Sequence, residues 1–158
     1  MQRPLQEPVL QSDYRDILEA FAASGVEYLV VGGYAVGFHG HPRFTKDLDL
    51  WIEPSAENLS RVRAALRAFG APAELLAHLD SATEEDVLWM GVPPLRIDLL
   101  KGVPGGDFSA ANARRSESVW DGVQVRIVGR EDLIALKRAS ARPQDLVDAT
   151  ALEDQSPR

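Results

Sequence analysis

Lys46-Asp47-Leu48-Asp49-Leu50-Trp51-Ile52 is the stretch whose reading decides the fold. Leu48, Leu50 and Ile52 alternate with Asp47, Asp49 and Trp51, which is the two-residue period of a β-strand with one face on a core. Asp is depleted in strands, yet two stand here, and a third, Asp98, lies in the apolar run Leu95 to Leu100. On one strand face Asp47 and Asp49 project roughly 6 to 7 Å apart, near enough for their oxygens to share a cation. The alternative is an exposed polar face with no chemistry. Asp98 weighs against it, because a carboxylate buried in such a run without a cation or hydrogen bonds would cost several kcal/mol; its own alternative is an edge strand facing water.

Outward from this strand, helices and strands alternate. Ser12 is read as the cap of a helix over Asp13 to Ser24, closed by Gly25. A buried strand follows at Tyr28 to Val31, then Gly32-Gly33 and a short helix from Tyr34 to His39, with Gly40 and Pro42 breaking the chain. Beyond the acidic strand, Ser55 to Phe69 carries apolar residues at helical spacing, and Ala73 to Leu79 is a weaker helix. Val87 to Val92 and Leu95 to Leu100 read as a hairpin joined near Pro93-Pro94. Phe108 to Arg115 reads as helical and Val123 to Val128 as a short strand. Arg130 to Ser140 and Pro143 to Leu152 are closing helices, the second with Pro in its first turn. The expectation is an α/β (α+β) fold: a mixed sheet of about 4 to 5 strands flanked by helices. A length of 158 residues suits a single domain over 1–158, with 1–11 and 154–158 expected to fray.

Composition narrows the function. The chain has no Cys, so disulfides, thiolate metal sites and Cys nucleophiles are excluded; with no signal-like N-terminus or apolar span, a cytoplasmic protein without membrane contact is expected. A net charge of −7 argues against gripping nucleic acid through a general basic surface. His39 and His41 flank Gly40 near the acidic strand, but without further ligands they do not make a zinc site, and packing or a hydrogen bond to the loop is expected of them. Trp51 either stacks on a base or joins the core.

Gly32-Gly33 after an apolar strand lets backbone N–H groups face a phosphate. Val31-Gly32-Gly33 followed, after a spacer, by Asp47-Leu48-Asp49-Leu50 resembles the signature of the DNA polymerase beta-like nucleotidyltransferase superfamily. The intervening Gly40-His41-Pro42-Arg43-Phe44-Thr45-Lys46 is similar to the Arg-x-Thr-x-Asp-x-Asp form of minimal nucleotidyltransferases and of abortive-infection type IV toxin-like members. Leu136-Lys137 and Arg142-Pro143-Gln144-Asp145-Leu146-Val147-Asp148 look like later motifs of that toxin-like group.

The resemblance implies a nucleotidyltransferase-like fold and transfer of a nucleoside monophosphate from a nucleoside triphosphate to an acceptor hydroxyl. It implies Asp47, Asp49 and Asp98 as catalytic residues and ligands of Mg²⁺, two ions in all. Gly32, Gly33, Arg43, Thr45 and Lys137 would contact the nucleotide. Asp145 and Asp148, three apart on a helix, would orient Lys137 or Arg142. Acceptors implied are tRNA or another RNA, or a partner protein, in a toxin–antitoxin or phage-defence setting with a cognate antitoxin; antibiotic-modifying members use small molecules. The competing expectation is a non-catalytic, nucleotide-binding regulatory or antitoxin-like partner.

Overall fold

The computed structural model describes residues 10–41, 46–91 and 95–154. Among these, seven helices and six strands follow in the order α1 (Ser12–Ser24), β1 (Tyr28–Val31), α2 (Gly32–Phe38), β2 (Asp47–Ile52), α3 (Ala56–Phe69), α4 (Ala73–His78), β3 (Val87–Met90), β4 (Arg96–Leu100), α5 (Phe108–Ala113), β5 (Ser116–Trp120), β6 (Val123–Ile127), α6 (Arg130–Ser140) and α7 (Pro143–Glu153). All six strands form one sheet in the order β3-β4-β2-β1-β6-β5. The pairs β2/β4 and β1/β6 are parallel and the rest antiparallel, so the sheet is mixed as expected.

The sheet has six strands where about 4 to 5 were expected, and β5 is the one added. Its sequence Ser-Glu-Ser-Val-Trp is largely polar because it is an edge strand that needs only Trp120 inside. Asp121 and Gly122, both at positive φ (51° and 79°), turn it into β6. Two smaller corrections concern helix starts. Gln11, without a side-chain cap bond, precedes α1, so Ser12 is its first residue; α2 begins at Gly32 itself, two residues before the expected Tyr34. Leu10 is buried, so the segment expected to fray is anchored at its end. The Pro93-Pro94 junction lies outside the described residues.

Sequence chemistry explains the other ends. Ser55 Oγ accepts from the Asn58 N–H at 3.2 Å at the start of α3, and Gly25 and Gly70 close α1 and α3 in the left-handed conformation. The amphipathic α1 buries Tyr14, Ile17, Leu18 and Phe21 against α3 and β6, each contributing about 1.5 to 3 kcal/mol. Asn58, with no exposed surface, ties α3 to the sheet: its side chain accepts from Glu27 N–H and donates to the carbonyls of Glu27 and Glu53. This packing fixes the frame in which the acidic strands stand side by side.

Candidate active site

The pairing of β2 with β4 sets Asp49 directly opposite Asp98, and the rows on either side extend the alignment. Val31 of β1 lies opposite Asp49, and Trp89 of β3 opposite Asp98. Four strands thus contribute one cross-strand row, Val31-Asp49-Asp98-Trp89, with neighbours roughly 4.8 Å apart. Asp47 occupies the same face two residues before Asp49, opposite Arg96. At the other end of that face Trp51 is buried edge-to-face against Phe108, with ring centroids 5.2 Å apart, and so joins the core rather than the site.

Gly32 stands over Asp49. A Cβ at Gly32 would lie 2.0 Å from Asp49 Oδ2, and the backbone there has φ +69°. Only glycine lets the first turn of α2 approach the carboxylate this closely. The Asp49 carboxyl is pushed up to about 7, by burial first and then by the charge of Asp98 and a hydrogen bond shared with it. Asp47 adds to this, and Lys137 pulls the other way. Asp98, buried, accepts at Oδ1 from Arg96 Nε (3.1 Å) and Nη2 (3.0 Å).

Asp49 and Gly32 open into a cleft of about 760 Å³. Lys137 and Arg142, from α6 and the start of α7, form one wall. Lys137 is buried, its Nζ 3.2 Å from Asp145 Oδ1 and 3.1 Å from Asp148 Oδ2. Asp145 also accepts from Ser140 Oγ at 2.7 Å and Arg142 Nε at 2.8 Å. Burial pushes the Asp145 carboxyl up, but the bonds from Arg142, Ser140 and Lys137 outweigh it and hold it down at about 2. Asp145 therefore holds both Lys137 and Arg142, and Asp148 holds Lys137. Glu84, Glu85, Asp86 and Val87 line the cleft on another side, and the loop Gly102 to Gly106 bounds it.

The structure therefore gathers Gly32, Asp49 and Lys137 on one cleft with Asp98 beside Asp49, and Asp47 on the same strand face. Gly33 is buried in α2, and Arg43 and Thr45 lie outside the described residues. His39 Nε2 lies 2.7 Å from the Val128 carbonyl, and burial lowers its pKa; His78 Nδ1 lies 2.7 Å from Glu74 O on its own helix. Arg96 and Trp89 were missed in the sequence. The alternation Arg96-x-Asp98 put Arg96 on the acidic face and was the available signal for it. Trp89 becomes visible only once β3 and β4 are in register.

The donor set suits a hard divalent cation in part. Asp49, half-buried, and Asp98, buried, offer mutually repelling carboxylates within hydrogen-bonding reach, an arrangement that a cation would relieve. Among the described residues, however, no three Asp, Glu, His or Cys side chains are grouped so as to enclose a metal ion. The rest of a Mg²⁺ shell would have to come from water and phosphate, which is usual for that ion.

No family model matches the chain, and no curated protein matches it in sequence. Solved structures do match. The lincosamide antibiotic adenylyltransferase LnuA, with lincomycin bound, superposes with a TM-score of 0.60 at 15% identity, over 96% of this chain and 100% of that one. ANT(2″)-Ia in complex with adenylyl-2″-tobramycin gives 0.55 at 16% identity, over 88% and 84%. A Thermotoga maritima protein assigned as a nucleotidyltransferase gives 0.55 at 13%, over 89% and 88%. At these identities the likeness shows a shared fold, the nucleotidyltransferase-like fold expected above.

Proposed function

We propose that the chain transfers a nucleoside monophosphate from a nucleoside triphosphate to an acceptor hydroxyl. The observation that carries this reading is the pair of half-buried Asp49 and buried Asp98, in register on adjacent strands, with Asp49 pressed against Gly32 at the mouth of the cleft that holds Lys137. Paired carboxylates beside the Lys137 and Arg142 side chains are a set that a reaction between a polyphosphate and a hydroxyl can use. Asp47, Asp49 and Asp98 are the residues that would hold Mg²⁺, two ions by the sequence resemblance, with water and phosphate completing the shell. When bound, Mg²⁺ offsets the charge of the triphosphate and of the departing pyrophosphate.

The chain's own groups account for the rest. Gly32 and Gly33 bring backbone close to the triphosphate, and Lys137, held in place by Asp145 and Asp148, supplies positive charge to it. Arg43 and Thr45 belong to the same phosphate contacts by their resemblance. The acceptor oxygen attacks the α-phosphorus, forming a new P–O bond while the bond to the β-phosphate oxygen breaks and pyrophosphate leaves. The hydroxyl proton passes to Asp98.

The fold neighbours support the reading through what their names state: one is an adenylyltransferase of lincosamide antibiotics and another holds an adenylylated tobramycin. Transfer to tRNA, another RNA or a partner protein, in a toxin–antitoxin or phage-defence setting, is the acceptor class that the sequence resemblance suggests instead. One observation favours a second reading, nucleotide binding without transfer as a regulatory or antitoxin-like partner: Arg96 already neutralises Asp98. One experiment separates them. The protein is incubated with Mg²⁺ and each nucleoside triphosphate labelled at the α-phosphate, with tobramycin, total tRNA or cell protein as acceptor. Label moving to an acceptor with wild type and not with Asp49→Ala supports transfer. Equal labelling with both proteins sinks it, and nucleotide binding without labelling supports the second reading.

A further inference from the structure

A second cavity, of about 210 Å³, lies between the end of α1, the start of β1 and the β5–β6 hairpin. Phe21, Val26 and Val125 give it an apolar lining, and it shares no lining residue with the Asp49 cleft. Tyr28, which also lines it, opens β1, whereas Gly32 follows the far end of that strand. The two spaces therefore stand at opposite ends of β1.

The polar groups of this cavity are donors with nothing to donate to. Tyr28 is 2% exposed, and its hydroxyl accepts from the Arg126 backbone N–H at 3.3 Å while its own proton has no acceptor among the described residues. Burial pushes that hydroxyl up to about 12 against the opposing charge of Arg126, so it keeps its proton at any working pH. Arg126 is half-buried and lines the same space, and its guanidinium makes no hydrogen bond or ion pair with a described residue. Glu117 faces Arg126 in register across β5 and β6 but binds Arg115 instead, through Nε at 2.9 Å and Nη2 at 2.8 Å. At the end of α1 the Phe21 and Ala22 carbonyls already accept from the Val26 and Gly25 N–H groups. A buried hydroxyl proton and a half-buried guanidinium without acceptors are costly to keep, and a bound anion would satisfy both.

We propose that this cavity is a binding site for a small organic carboxylate. Its anion would lie on the Arg126 guanidinium, which suits a carboxylate through two parallel N–H groups, and accept from the Tyr28 hydroxyl. Its apolar body would pack on Phe21, Val26 and Val125. Inorganic phosphate could meet the same donors but would leave the apolar lining unfilled, so a carboxylate with an apolar body fits the whole cavity. The site is independent of the nucleotidyl-transfer reading above.

Benzoate is the probe, titrated into the full chain and followed by calorimetry and by nuclear magnetic resonance of the Arg126 backbone amide, which bonds Tyr28. Acetate, inorganic phosphate and benzamide are titrated in parallel. Expected are saturable binding of benzoate in the millimolar range with a shift of the Arg126 amide, and binding of the other three weaker by about tenfold. Arg126→Gln should lower benzoate affinity about tenfold; Tyr28→Phe, which keeps the ring and its packing, should lower it about threefold. Glu117→Gln should leave it unchanged or tighten it, and ATP with Mg²⁺ should not displace it. Benzoate bound equally by Arg126→Gln, benzamide or phosphate bound as tightly as benzoate, displacement by ATP, or no benzoate binding at millimolar concentration would each overturn the proposal.

Discussion

Gly32→Ala places a methyl group where the structure has no room, and its cost can be worked from two sources. The backbone at φ +69° is disfavoured for an L side chain by about 1 to 2 kcal/mol. The new Cβ would lie 2.0 Å from Asp49 Oδ2, 2.9 Å from its Cγ and 3.2 Å from its Cβ, so the carboxylate must move, at about 1 to 3 kcal/mol. Together these cost about 2 to 5 kcal/mol. With a urea dependence of about 2 kcal/mol per molar, the unfolding midpoint should fall by about 1 to 2.5 M. Gly37→Ala is the internal control: nothing lies within 4 Å of its added Cβ, and Ala in a helix is expected to raise the midpoint slightly. In Gly32→Ala/Asp49→Ala the contacts with Oδ2 and Cγ are removed, leaving the backbone cost and the 3.2 Å approach of the two Cβ atoms, so the two substitutions should couple by about 1 to 3 kcal/mol. A wild-type midpoint for Gly32→Ala, or simple additivity in the double variant, would refute the reasoning.

The remaining predictions concern the frame around the site. Lys137→Met removes the ammonium between Asp145 and Asp148 and should cost about 3 kcal/mol, lowering the melting temperature by roughly 10 °C. Asn58→Ala removes the Asn58 partner from the Glu27 N–H and the Glu53 carbonyl, while the Glu27 carbonyl keeps the Glu53 N–H, and should cost about 1 to 3 kcal/mol in urea unfolding. Asp145 titrates near 2 in the fold against an ordinary value of 3.8, a lowered pKa, so its contribution is present above about pH 4 and is lost as the pH falls towards 2. The stability difference between wild type and Asp145→Asn, about 2 kcal/mol from this effect, should therefore shrink across that window.

Much of this arrangement was legible in the chain because its signals are local. Alternation marked β2, helical spacing with Ser55 and Gly70 marked α3, and Asp47, Asp49 and Asp98 stood out as carboxylates where strands rarely put them. β5 was not legible by the same signals, since an edge strand with one buried aromatic residue has no apolar period, although the Asp121-Gly122 turn was there to be read. The row joining Asp49, Asp98 and Trp89 depends on long-range register between β2, β4 and β3, and no local pattern specifies which residues will face one another across strands. The same holds for Arg96: its place on the acidic face follows from spacing, but its bond to Asp98 and its position over Trp89 follow from packing.

Nucleotidyl transfer moves the α-phosphate and releases pyrophosphate, and following each phosphate of the donor tests that claim most directly. Nucleoside triphosphate labelled at the α position or at the γ position is incubated in parallel with Mg²⁺, tobramycin and the protein. The expected result is that α label appears on the acceptor, γ label appears in pyrophosphate, and both fail to move with Asp49→Ala. Transfer of γ label to the acceptor, release of orthophosphate alone, or full activity in Asp49→Ala would contradict it.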